Sequence, residues 1–359
     1  MRIAQVAPLV LRIPPVRYGG TERVIFALTE ELVRRGHVVT LFAAGTSQTS
    51  ARLVPCSPRP LWQLGVSESR QYQQAQLQRV INRYGEFDII HSHADHFLWL
   101  AGDSIQSSRV ATLHGSLGAP ETRAILKAHP DQPLVSISDS QRRPTTGLPL
   151  NWVATVYNGL DLATTYRLGR GAGGYLLFLG RISPEKDPVT AIRVAIRSGL
   201  RLKIAARVDP ADEMFFEQVR ILFDHPLIEW LGEQDDDQKA RLLADAAGLL
   251  LPIDWDEPFG LAFIEALASG TPVISRPRGS VPELLHHGEH GFLVETEDEM
   301  VEACRNLQAI DRRACREWAL SRFSAERMAR DYERVYRRVI AAADQASTTR
   351  AGGSQVSTA

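Results

Sequence analysis

Two glutamates, Glu257 and Glu265, are separated by seven residues in the stretch DWDEPFGLAFIEALASGTPVIS, residues 254–275. Between them Gly260 lets the backbone approach a ligand closely, and a helix starting at Leu261 offers first-turn amides at the positive end of its dipole, a setting suited to a diphosphate. Glu257 stands in front of that anion site. Glu265 lies about five residues along the helix, roughly 7 Å at the helical rise. A carboxylate at each end of an anion site suits a ligand with hydroxyls at both ends and phosphate between, the layout of a nucleotide diphosphate sugar. The simpler alternative is a helix start with one favourable acid and one solvated glutamate, so the rest of the chain has to decide.

The apolar run Leu249 to Ile253 reads as a buried strand, Leu261 to Ser269 as a helix stopped at Gly270, and Thr271 to Ile274 as the next strand. Within the helix, Phe263, Ile264, Leu267 and Ala268 form the packing face. Leu261, Glu265 and Ser269 share another stripe, so Glu265 need not enter the core. Upstream the same alternation runs from the start of the chain. Arg2 to Ala7, Val38 to Ala43, Phe87 to His91, Val110 to Leu113, Leu134 to Ile137 and Val153 to Tyr157 read as strands, with an amphipathic helix over Thr21 to Arg35. Short apolar strands separated by helices predict a parallel sheet covered on both faces.

The small-residue segment LGRGAGG, residues 168–174, reads as a hinge, after which the pattern restarts. Tyr175 to Leu179, Leu202 to Ala205, Ile228 to Leu231, Gly248 to Leu251 and Pro272 to Ser275 are strand candidates, with helices over Pro188 to Arg197 and Gln238 to Ala246. The expected organisation is a first domain over 1–167, a linker over 168–174 and a second domain over 175–322. A closing helix over 323–343 packs back on the first domain, and residues 344–359 form a disordered tail.

The chain's 359 residues suffice for two domains, each with its own core. A formal net charge of -1 supplies no bulk attraction to nucleic acid. Only Lys127, Lys186, Lys203 and Lys239 are lysines, against a large arginine excess. Cys56, Cys304 and Cys315 are too few and scattered for a disulfide framework or a zinc site, which points to a reducing cytosol. The N-terminal apolar stretch is broken by Pro8, Pro14 and Pro15, so neither secretion nor membrane spanning is expected.

With both halves in view, the chain resembles family 4 of the retaining glycosyltransferases. The resemblance rests on EPFGLAFIEALASGTPVIS, and on YGGTERV, the His114–Gly115 pair, YNGLD, FLGRISPEKDP and GSVPELLHHGEHGFLV in the family's order. It implies the α/β GT-B fold, two facing Rossmann-like domains with parallel sheets and an interdomain cleft. It also implies a metal-independent retaining transfer from a nucleotide diphosphate sugar, with UDP-glucose the first choice of donor, to a hydroxyl acceptor. The acceptor would be a saccharide, a lipid or a small molecule, and no cofactor is needed. Carried over to this sequence, Arg181 and Lys186 neutralise the diphosphate, and the backbones of Gly19 and Gly20 face it. Glu265 binds the ribose and Glu257 holds the sugar and sets the charge near the reacting carbon. The amides of Phe259, Gly260 and Leu261 complete the cradle, and His114 approaches the sugar from the opposite wall.

Two departures from the family pattern fall near the expected nucleotide pocket: Asp187 replaces a usual glycine after Lys186, and Ala206-Arg207-Val208-Asp209-Pro210 replaces a Gly-rich turn. HSHADH, residues 91–96, offers His91, His93, Asp95 and His96 to a metal, but strand alternation sends only His91 and His93 to one side, and a cleft wall is the favoured reading. The arginines of the last helix read as a solvated face, with peripheral attraction to anionic lipid at the inner membrane surface as the alternative. Competing functions are a UDP-sugar 2-epimerase on the same scaffold, which needs acid and base groups beside the ring, and a nucleotide-sugar-binding protein without catalysis. An NAD oxidoreductase is disfavoured because no Gly-x-Gly-x-x-Gly follows the first strand.

Overall fold

The computed structural model describes residues 1–65, 69–94, 104–105 and 107–353, with side chains to 345. The chain forms two compact units: Met1–Ile137, Arg142–Leu160 and everything from Ala325 onward make the first, and Ser138–Gln141 with Asp161–Ser324 make the second.

In the first unit β1 (Arg2–Val6), β2 (Val38–Ala44), β3 (Arg52–Ser57), β4 (Ile89–Ser92), β5 (Arg109–Thr112), β6 (Leu134–Ser136) and β7 (Trp152–Thr155) form one sheet in the order β3-β2-β1-β4-β5-β6-β7. Every pairing in it is parallel. Consecutive residues of β1 from Ile3 to Val6 are buried, because helices cover both faces of a parallel sheet. Among these helices are α1 (Gly20–Arg34), α2 (Arg70–Ile81) and α3 (Pro120–Ala128). Val6, Phe42, Ile90, Leu113 and Leu134 share one core cluster, each such side chain contributing about 1.5–3 kcal/mol. The sequence pattern missed β3, whose interior Pro55 argues against a strand. It is tolerated because β3 lies at the sheet edge, where a missing N–H breaks no ladder.

In the second unit β8 (Tyr175–Arg181), β9 (Arg201–Arg207), β10 (Ile228–Trp230), β11 (Gly248–Leu250), β12 (Val273–Ser275) and β13 (Gly291–Leu293) are likewise parallel, in the order β10-β9-β8-β11-β12-β13. Its helices include α4 (Leu162–Thr165), α5 (Pro188–Ser198), α6 (Glu213–Val219), α7 (Asp236–Asp245), α8 (Leu261–Ala268), α9 (Val281–Leu284), α10 (Glu297–Asn306) and α11 (Arg312–Phe323).

Two expectations about the connections are corrected. Residues 161–167, expected with the first domain, belong to the second unit. The segment 168–174 is not a free hinge: the amides of Gly169, Gly171 and Gly173 donate to the carbonyls of Ser269, Ala244 and Asp245 at 2.9, 3.1 and 2.9 Å. Small residues there serve backbone docking. The closing helix, α12 (Ala325–Gly353), lies with the first unit and runs past the expected end at 343, so residues 344–353 of the expected tail are helical. Glu333 ties α12 to the end of α1, accepting from Arg35 Nε at 2.6 Å and meeting His37 Nε2 at 2.9 Å. Arg334 and Arg337 on the same helix are 69% and 63% exposed. No helix among the described residues is long and apolar enough to cross a membrane.

In each sheet the strand order reverses beside its first strand, between β1 and β4 and between β8 and β11. Ligands of open α/β sheets bind beyond the C-terminal ends of the strands at such points. Arg181 ends β8, and residues 251–260 follow β11.

Candidate functional site

In the second unit the site grows from the turn after β8. Arg181 closes the strand, Pro184–Lys186 make a single 3-10 turn, and Asp187 begins α5. Asp187 adopts φ 49°, the left-handed region that favours glycine. Aspartate is among the few side chains tolerated there, and this one is used: Oδ1 accepts from Thr190 N at 3.1 Å as the helix cap, and Oδ2 pairs with Arg276 Nη1 at 2.9 Å. The first departure from the family pattern thus keeps the backbone shape a glycine would supply.

That turn delivers Lys186 to Glu257. Lys186 Nζ donates to Glu257 Oε2 and lies 5.3 Å from the centre of the Trp255 ring. Trp255 Nε1 donates to the same carboxylate oxygen at 3.1 Å. The loop is tied down by its carbonyls: Glu257 O accepts from Ser280 N at 3.0 Å, Pro258 O from Ser138 Oγ at 2.7 Å and Phe259 O from Ser280 Oγ at 2.6 Å. Glu257 is therefore held by its backbone and by one oxygen, while Oε1 has no protein hydrogen bond among the described residues.

Gly260, at φ 91°, opens α8, and a Cβ there would lie 2.5 Å from the Phe263 ring. No side chain caps this helix, so its first-turn amides at Leu261 and Ala262 are not claimed by a capping oxygen. Phe259 is buried and stacks edge-on against Phe323 with ring centres 6.0 Å apart.

Arg181, at the other end of the turn, is surrounded by acids. Its guanidinium donates to Glu185 at 2.6 Å and to Asp209 at 3.0 Å, and lies 3.7 Å from Asp212. Asp209 also meets Arg207 at 2.5 Å. The second departure, ARVDP, therefore supplies a counter-charge to the same arginine. Burial raises the Asp212 carboxyl above its ordinary range, and Arg181 offsets part of that rise.

Glu265 is only 2% exposed, so the simpler alternative of a solvated glutamate does not hold. Lys239 Nζ on α7, itself buried, stands 3.7 Å from its carboxylate. Neither Lys239 nor Trp255 was singled out from the sequence. Trp255 was legible as a neighbour in the motif, whereas Lys239 reaches Glu265 from a separate helix.

In the first unit Gly19 caps α1 and Gly20 is its first residue, again with no side-chain cap. Glu22, in that first turn, is buried, which raises its carboxyl pKa. His114 follows β5 and is backed by two polar side chains: His93 Nδ1 stands 2.9 Å from His114 Nε2, and His93 Nε2 stands 2.7 Å from Gln5 Oε1. His91 and His93 do share one side, with ring centres 3.9 Å apart, as strand alternation requires. Asp95 and His96 lie outside the described residues. Burial drives the His91 and His93 pKa values well below 6.5 and that of His114 down to about 4, so all three rings are neutral at pH 7. The one group among the described residues spaced to hold a metal ion is His286, Glu289 and His290, a different place on the chain from HSHADH.

Within the second unit, then, Lys186 and Glu257 are brought into direct contact beside Phe259, Gly260 and Leu261, Arg181 is matched to carboxylates, and Glu265 is paired with Lys239. Gly19, Gly20 and His114 belong to the first unit.

Comparison with known proteins gives the following. Residues 18–164 match the family described as Glycosyltransferase Family 4, and residues 170–317 match Glycosyl transferases group 1. The phosphatidyl-myo-inositol mannosyltransferase of Mycobacterium leprae (strain TN) is 26% identical over 328 residues, which cover 83% of this chain and 84% of that protein. A D-inositol 3-phosphate glycosyltransferase of Mycolicibacterium smegmatis is 26% identical over 362 residues, covering 87% and 82%. Among solved structures, Anabaena HepE in complex with UDP and glucose superposes with a TM-score of 0.73 at 18% identity, covering 93% of this chain and 99% of that one. At that identity the likeness shows the fold.

Proposed function

Because the chain belongs to the family 4, group 1 glycosyltransferases, we propose that it moves a hexose, with retention of anomeric configuration, from a nucleoside diphosphate hexose to a hydroxyl acceptor without a metal ion. UDP-glucose is the first candidate donor, with support from the UDP and glucose in the HepE complex. The mannosyltransferase and inositol-phosphate relatives make a mannose donor and an inositol-type acceptor the next candidates.

The observation that carries this reading is the Lys186–Glu257 pair at the strand-order reversal of the second sheet, with Arg181 at the other end of the same turn and the uncapped start of α8 beside it. Two cations and a helix start suit a diphosphate, and a carboxylate next to them suits a sugar that gains positive charge. In the proposed step the bond from the anomeric carbon to the phosphate oxygen breaks as the acceptor oxygen bonds to that carbon on the same face. The acceptor proton passes to the departing phosphate oxygen. Lys186, Arg181 and the α8 amides stabilise the negative charge left on the diphosphate, and Glu257 Oε1 faces the positive charge on the sugar. His114 is assigned to the sugar and Glu265, with Lys239 beside it, to the ribose. Gly19 and Gly20 offer the backbone of the α1 start to the diphosphate.

The test is transfer itself. Purified protein is given UDP-glucose, GDP-mannose and ADP-glucose in turn, with inositol and simple saccharides as acceptors, in the presence of a chelator. Anomeric proton NMR of the product is expected to show the donor's configuration. Inversion at that carbon, or an absolute need for added divalent metal, would sink the corresponding part of the proposal. Glu265→Ala is expected mainly to raise the donor KM, since the ribose does not change charge in the reaction.

A further inference from the structure

Behind His114 the first unit carries a buried hydrogen-bond chain in which each member dictates the proton of the next. Gln5, on β1, donates from Nε2 to Tyr336 Oη at 3.1 Å and accepts at Oε1 from His93 Nε2 at 2.7 Å. His93 must then carry its proton on Nε2. A neutral imidazole has only one N–H, so His93 Nδ1 is bare and accepts from His114 Nε2 at 2.9 Å. That places the His114 proton on Nε2 as well. On the other branch Tyr336 Oη, which accepts from Gln5, stands 2.7 Å from His91 Nδ1. His91 Nε2 stands 2.7 Å from Thr112 Oγ1, and Thr112 meets Tyr332 Oη at 2.9 Å. Gln5, His91, His93 and Thr112 are buried, as are Tyr332 and Tyr336, so reversing one bond would mean reversing them all or leaving buried polar atoms unmatched.

We propose that Gln5 and His93 are positioning residues that hold His114 as its Nε2–H tautomer, so that the ring meets the donor sugar only as a hydrogen-bond acceptor, through Nδ1. This rests on the assignment of His114 to the sugar. Nδ1 has no protein hydrogen bond among the described residues. A ring in that state accepts from a hydroxyl and offers only a lone pair to a carboxylate or a fluorine. The substrate class that follows is a neutral hexose with a free hydroxyl at that point, preferred over the matching uronate. The low pKa of these rings keeps them neutral across neutral pH.

Nitrogen-15 NMR of the full-length protein at pH 7, correlating ring nitrogens with ring carbon-bound protons, reads the tautomer directly. His114 is assigned by the signal lost in His114→Gln. The expected spectrum has His114 Nδ1 at the shift of an unprotonated ring nitrogen and Nε2 at that of a protonated one. A protonated Nδ1 in the wild-type protein overturns the proposal. In Gln5→Glu the carboxylate draws a second proton onto His93, whose Nδ1 becomes a donor, and His114 is expected to switch to Nδ1–H. Donors in which each sugar hydroxyl in turn is replaced by fluorine supply the kinetic readout. Wild type is expected to lose about tenfold or more in kcat/KM at one position, the scale of one hydrogen bond to a buried partner, and the loss should shrink in Gln5→Glu. A confirmed tautomer with an even fluoro-sugar profile removes His114 from the sugar and overturns the acceptor role. A protonated Nδ1 in an otherwise active transferase overturns the relay and leaves the proposed reaction standing.

Discussion

Beside β1 and β4, where the first sheet reverses its strand order, the polar groups are neutral: two histidine rings, an amide and a tyrosine hydroxyl, joined to His114. Beside β8 and β11, at the corresponding place in the second sheet, they are ions: Arg181 among three acids and Lys186 on Glu257. Both sheets are parallel and both present strand ends, so the fold does not dictate the difference. Burial does. His91 and His93 are fully enclosed and stay neutral because no charge of opposite sign pays their desolvation, whereas the Arg181 side chain remains 26% exposed and each of its neighbours carries a compensating charge. Neutral networks hold direction and tautomer, and ion pairs hold charge that a charged ligand can exchange.

The largest expected effect breaks the comparison through pH. In the unfolded chain His91, His93 and His114 take up protons near pH 6.5, while in the folded unit they do so only well below that, at about 4 for His114. The unfolded state therefore binds more protons as pH falls below 6.5, and stability of the first unit drops between pH 7 and pH 5. Urea unfolding at pH 7, 6 and 5 checks it, and a midpoint indifferent to pH would mean that the rings are not held neutral.

Next is the charge on Glu257. Glu257→Gln keeps the size and most hydrogen bonds but leaves Lys186 without its anion, and kcat is expected to fall by about a hundredfold or more with little change in donor affinity. Near-normal kcat would move the sugar end of the site elsewhere. Arg181→Ala or Lys186→Ala is expected to weaken nucleoside diphosphate binding by about 1.5–3 kcal/mol by calorimetry. The same assay in high salt should weaken wild-type binding, since these pairs are partly exposed. Unchanged affinity in both variants would remove the proposed diphosphate site.

The smallest effect sharpens the account of the turn. Asp187→Ala loses the cap and keeps the left-handed backbone, costing about 1–2 kcal/mol, whereas Asp187→Gly trades the cap for freedom from strain and should stay within about 0.5 kcal/mol of wild type. Equal losses in the two variants would show that the cap and the Arg276 pair, not φ, decide the position.

What the sequence by itself determined is the local and periodic part. The apolar runs specified nearly every strand of both sheets, since a strand buried on both faces must be apolar throughout, and only the short edge strand β13 and the Pro-containing β3 escaped. The spacing through Glu257, Gly260 and Leu261 specified a loop entering a helix start, because that geometry is written in neighbouring residues. Tertiary structure alone decided the partners. Glu265 is buried although helical periodicity leaves it off the packing face, and Lys239 from α7 is the cation that meets it there. His114 is joined to Gln5, 109 positions earlier, through His93, and to a chain that ends on α12. Such contacts join residues far apart in sequence, so no window of neighbours contains them, and only the closing of the sheet and the return of the last helix bring them within hydrogen-bond reach.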